Sequence, residues 1–281
     1  MPFLSKLQII QILNIITIIQ VFFTHAYSEA YSSKEGHTYL TISTNFAAIF
    51  WFVLYILQFG YAFQLQFYNY TRSVHDIVEN VIGYLFALNN LFMFGWLLSW
   101  MTGYFDVARI FIILFLISTS LAHHRLILNY TSNDDLTTMH ITLFTHVPFS
   151  MISAYSWFVL FQKGFIDFIY KSEWLTVVLV EIMALIGFAW CFNGVFSNGR
   201  RDLIFSATIA WLLLGVGVEH VNHYEKRHST SCIVLSVTQF IMICFILFKN
   251  SAILRSRSNN NDERSSLFPN PSTFYGTNNR Y

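Results

Sequence analysis

Eight near-continuous apolar runs, each about 20 residues long, limit what this chain can fold into. They are Leu7–Thr24, Phe46–Phe67, Val81–Met101, Val107–Leu128, Thr142–Phe161, Trp174–Phe196, Leu203–Val221 and Cys232–Phe248. A run of that length crosses bilayer hydrocarbon as a helix, because a helix satisfies its own backbone hydrogen bonds there. No run alternates as a barrel strand does, and the connections are too short for a soluble domain. The expected fold is therefore all-α, a polytopic transmembrane helix bundle of about eight helices over residues 1–250. Composition agrees. Only 11% of the 281 residues are charged, against roughly 25% in a soluble domain. A net charge of +1 with no basic stripe excludes nucleic acid as a partner. Cys191, Cys232 and Cys244 all fall in apolar runs without a C-x-x-C and read as small buried hydrophobes.

The third run contains the sharpest internal conflict. Gly83–Trp100 carries no charge, yet Asn89 and Asn90 sit in its middle. Hydrocarbon offers such amides nothing, so at least one must face another helix or a cavity. Small residues at four-residue spacing, Gly83/Ala87 and Ser206/Ala210, with Gly215 and Gly217, should let helices approach closely.

Orientation follows from basic residues in the loops. With eight spans, ten lysines and arginines fall on the side of Lys6, Arg72, Arg125, Arg200 and the tail, and six on the other. The excess places both termini in the cytoplasm, in an endomembrane or plasma membrane, and leaves the sequons at Asn69 and Asn129 unused. The first run follows Lys6 and precedes Ala26-Tyr27-Ser28, a small-x-small sequence, but is longer than a usual signal-peptide core, so a retained helix is expected. From Ser251 the chain turns polar and rich in Asn and Ser, and residues 251–281 read as a disordered tail containing an Asn270-Pro271-Ser272-Thr273-Phe274 segment.

Ionisable groups inside spans are costly and mark candidate sites. Glu181, seven residues into the sixth run, is one: a ligand contact, a proton site or a helix–helix hydrogen bond. His123 and His124 end the fourth run, His140 and His146 flank the start of the fifth, and His220 and His223 end the seventh beside Glu219. The end of the fourth run and the start of the fifth share one membrane face and the end of the seventh lies on the other, so one metal site built from all of them is not expected, and no cofactor is assigned. Ser120-x-x-x-His124 has the spacing of a class of membrane-embedded zinc hydrolases, but the late H-x-x-x-H and an intramembrane aspartate are missing. No G-x-S-x-G, P-loop or H-E-x-x-H occurs. An enzyme is not the expected reading. Trp100 and Trp174 sit at span ends, as an interfacial belt would place them. Trp51, Trp96, Trp157, Trp190 and Trp211 lie deeper, where they either wall a pocket or pack the bundle.

Several segments resemble one family. Trp51-Phe52-Val53-Leu54-Tyr55 is similar to the W-x-x-L-Y segment of the translocator-protein (TspO) and tryptophan-rich sensory proteins, and Ala87-Leu88-Asn89 to the A-L-N opening a later helix. The longer multi-pass microbial relatives resemble the chain more fully. They match through Leu13-Asn14-Ile15-Ile16, Ala87 to Asn90 with Trp96 and Trp100, Val147-Pro148-Phe149-Ser150, and Arg200-Arg201-Asp202 with Phe205, Trp211 and Gly215. The resemblance covers roughly residues 7 to 248. Gly60 is one residue later than in the compact five-helix proteins, and Phe92 stands where a Trp often follows.

The resemblance implies a bundle with a central aromatic pocket that binds, senses or passes a small hydrophobic ligand, without a metal or established catalysis. It implies Trp51, Tyr55, Asn89 and Trp96 as the lining, with Asn89 facing the second helix. Glu181 joins them as an ionisable candidate. The expected partners are the lipid bilayer, that ligand and, as an open option, further copies of the chain in a homo-oligomer. The rival readings are a structural or assembly membrane protein with no ligand, the zinc hydrolase, and a proton-coupled carrier working through Glu181.

Overall fold

The computed structural model describes residues 5–31, 40–67, 72–129, 142–164, 173–192, 202–221 and 226–267. His140, His223, the Asn69 sequon, Tyr130 and Thr131 of the second sequon, and residues 268–281 lie outside the described residues. The described residues contain no strand. The helices are α1 (Lys6–Tyr31), α2 (Thr44–Phe67), α3 (Arg72–Asp76), α4 (Leu85–Met101), α5 (Phe105–Asn129), α6 (Val147–Val159), α7 (Glu173–Phe192), α8 (Leu203–Val221) and α9 (Lys226–Leu267). Wider π-helical turns follow α3 (Ile77–Ile82) and flank α6 (Thr142–His146 and Leu160–Gly164).

Among the described residues, seven helical stretches are long and apolar enough to cross a membrane. An eighth is completed when Val74–Ile82 and Leu85–Met101 are counted as one broken span, bent by 55°. The break has a local cause. Gly83 adopts φ +55°, a conformation that side-chain-bearing residues avoid, and it closes the π-turn with its N–H on the Val78 carbonyl. Gly83 thus works as a hinge between two helices. The close approach in this region belongs instead to Gly95, where an added Cβ would stand 2.6 Å from the Phe111 ring. That gap in the side-chain surface seats α4 against α5.

Residues Met1–Phe240 form one compact unit, and Ile241–Tyr281 a second. In the first, α4 packs between α1 and α5, α6 between α5 and α8, and α7 lies along α8, while α2 touches α1, α6 and α8. Ser206 and Ala210 bring α8 to the first part of α9, as their spacing suggested. Gln239 Nε2 donates to Ser206 Oγ at 2.8 Å and Ser236 Oγ to the Ala210 carbonyl at 2.7 Å. The layering is that of a lipid-solvated protein. Large apolar side chains such as Phe23, Phe52, Ile110, Ile117 and Leu185 point outward, and amides, hydroxyls and histidines point in. In the second unit, α9 continues to Leu267.

Candidate functional site

Aromatic rings from three helices meet where α1, α2 and α6 converge. Trp51 and Tyr55 are one turn apart on α2, so their rings share a face and stack, with centroids 5.4 Å apart and planes at 26°. His25 of α1 lies 4.0 Å from the Trp51 ring. Tyr155 of α6 meets Trp51 edge-on at 4.7 Å and stacks on Phe50 at 5.2 Å. The Trp51–Tyr55, Trp51–Tyr155 and Phe50–Tyr155 contacts fall within the range of favourable offset and edge-to-face ring pairs.

Asn89 does not join this cluster. Its side chain lines a crevice with Asn90 and Phe86 of α4, Gln58 of α2, and Pro148, Phe149 and Ile152 of α6. Gln58 is three residues beyond Tyr55, so Asn89 does meet the second helix, one turn past the expected place. Tyr61 packs on the Phe86 and Phe149 rings at 4.7 and 5.2 Å and backs the crevice. The crevice has no room for a water molecule. Asn89 is 2% exposed, and both its amide oxygen and its amide nitrogen lack a hydrogen-bond partner among the described residues. Asn90 turns to α1, where its Nδ2 makes a long 3.5 Å contact with Thr17 Oγ1.

The other expected residues divide. Trp96 is buried on α4, two turns from Asn89, and its indole N–H also lacks a partner among the described residues. Glu181 is exposed on the outer face of α7 beside Ile182 and Leu185, away from both the rings and the crevice. His124 is exposed and Ser120 half-buried, so the serine–histidine spacing on α5 does not point to a shared interior site. His220 is buried and its ring meets that of His228 on α9, with centroids 5.3 Å apart.

A second constellation lies at the end of the bundle where α5 finishes and α6 and α8 begin. Asp202 is fully buried just before α8. Its Oδ1 accepts the N–H groups of Ile204 (3.0 Å) and Phe205 (2.9 Å), a side-chain cap that starts the helix. Its Oδ2 accepts from Ser150 Oγ at 2.7 Å and from His123 Nε2 at 2.6 Å. The histidine is the donor, because an ionised carboxylate only accepts. His146 Nε2 stands 3.9 Å from the same oxygen. Burial alone would raise the Asp202 pKa; the His123 hydrogen bond, the charges of His146 and His123, and the Phe205 N–H outweigh it and hold the carboxyl below the usual carboxylate range. Trp190 and Phe205 cover the His123 ring at 5.1 and 6.0 Å.

Sequence reasoning missed this cluster because Asp202 ends a polar loop and reads as a loop residue. The signal was present. An aspartate before an apolar run is a helix cap, and alternating spans put the end of α5 and the starts of α6 and α8 on one face.

No curated protein and no solved structure matches the chain significantly. A family profile described as TSPO-like protein matches residues 8–247, which span every element of both constellations. The chain is a multi-pass membrane protein and belongs to the TSPO-like protein family.

Proposed function

We propose that the chain binds a small hydrophobic ligand carrying one hydrogen-bonding group, between α2, α4 and α6. The observation that carries this reading is the Asn89 amide, buried at a crevice with neither polar atom bonded among the described residues. Leaving such groups unmet costs roughly 1–3 kcal/mol each. A ligand that accepts from Nδ2 or donates to Oδ1 recovers that cost. The apolar wall of Phe86, Phe149 and Ile152 suits a flat, greasy body, and the Trp51–Tyr55 stack one turn away extends the aromatic surface. Drug-sized ligands occupy pockets of about 300–1,000 Å³, so binding requires α6 to move away from α4. Glu181 takes no part, because it faces outward.

The narrowness of the crevice favours a second reading, a packing or assembly protein with no ligand. Tryptophan fluorescence separates the two. Purified chain in detergent, titrated with protoporphyrin IX and with ergosterol, should show saturable quenching by at least one. Quenching that only rises linearly with either probe, as simple partitioning gives, removes the ligand reading and leaves the second.

A further inference from the structure

We propose that His123, His146 and Asp202 form a binding site for a divalent transition-metal ion, with zinc the best match. Their candidate ligand atoms lie within 4.8 Å of one another and come from three separate segments: the end of α5, the turn before α6 and the start of α8. Two imidazole nitrogens and one carboxylate oxygen are the donors that a borderline ion such as zinc takes.

The spacing argues for an ion as well as for a hydrogen-bonded tie. With bonds of about 2.0–2.2 Å, neighbouring ligand atoms round a tetrahedral zinc stand about 3.3 Å apart. The two separations to the Asp202 oxygen bracket that value, 2.6 Å for His123 and 3.9 Å for His146, and the two imidazole nitrogens lie within 4.8 Å of one another. The first is a hydrogen bond and the second is too long to be one. A tie between helix ends accounts for His123, Ser150 and Asp202. It does not account for His146 bringing a second imidazole nitrogen up to the same carboxylate oxygen. An ion replaces the proton that His123 Nε2 shares with Asp202 and draws His146 in.

The surroundings are those of a ligand shell. Ser150 Oγ and the N–H groups of Ile204 and Phe205 orient both carboxylate oxygens, the outer support that metal ligands require. Trp190 and Phe205 close off the His123 side. Three protein ligands leave a fourth tetrahedral position for water or for the Ser150 hydroxyl. The proposal rests on observations other than the Asn89 ligand reading, and zinc binding and probe quenching are measured separately, so either proposal can fail without the other.

The test uses the full chain in detergent, stripped with a chelator and then titrated with Zn²⁺ and with Co²⁺. The expected result is stoichiometric zinc by elemental analysis and, with cobalt, the intense visible absorption of a four-coordinate site. Ser150→Ala, which removes one outer support, should weaken zinc binding about 10- to 100-fold. His146→Ala should weaken it more, while His124→Ala, on the exposed face beside His123, should leave it unchanged. His146→Ala keeps the bonds among His123, Ser150 and Asp202; if it fails to fold, His146→Gln takes its place. Substoichiometric zinc in the parent protein overturns the proposal. So does a His146 variant that folds and binds zinc as the parent does.

Discussion

Asp202 and Asn89 are both polar side chains buried in the same apolar bundle, and they are treated in opposite ways. Both Asp202 carboxylate oxygens are met, one by His123 and Ser150 and the other by two backbone N–H groups. The Asn89 amide meets no partner among the described residues. In hydrocarbon surroundings a polar group with its bonds made ties helices together, and one without them is a cost. The contrast assigns different work to the two places. The Asp202 cluster joins the ends of α5, α6 and α8, and the Asn89 crevice is where an outside molecule has something to gain.

The hardest blow to this contrast comes from Asp202→Ala. It strands Ser150, His123 and two helix-start N–H groups, and breaking a buried charged pair in this way costs about 3–5 kcal/mol. Denaturant unfolding in mixed micelles should show the unfolding free energy falling by that much; an unchanged value means the cluster does not hold the bundle. Next is Asn89→Leu. It deletes two unmet polar atoms, so stability should hold or rise by roughly 1–3 kcal/mol while saturable probe quenching disappears. A drop in stability shows that the amide is bonded in solution, and the two sites then cease to differ. The smallest effect is expected from Glu181→Gln, since the side chain faces out from α7. Probe quenching and unfolding midpoint should both match the parent, and altered quenching brings Glu181 back into the ligand site.

Long uncharged runs made the helices legible, because backbone satisfaction in hydrocarbon leaves a chain few options. The count of about eight came through with the third span broken at Gly83. That break was not legible, since a glycine reads equally as a packing notch and as a left-handed turn. Trp51 and Tyr55 came forward through the resemblance of their segment to W-x-x-L-Y, and their spacing of one turn stacks their rings. The α6 residues that line the crevice with Asn89 were not, because they depend on how far α4 and α6 slide past one another. Glu181 shows the limit of counting charges in spans, as a helix has an outer face and nothing local in the sequence says which face that is. Asp202 shows the reverse, a residue placed in a loop by its neighbours and in the interior by the fold.

The segment Val147-Pro148-Phe149-Ser150 belongs to both places at once. Pro148 and Phe149 line the crevice, while Ser150, the next residue, holds Asp202 at 2.7 Å. Consecutive helix residues point about 100° apart, and they turn as one body. Rolling α6 to widen the crevice therefore swings the Ser150 hydroxyl through an arc about the Asp202 carboxylate. The helix acts as a camshaft, and the looseness of one site is set by the grip of the other.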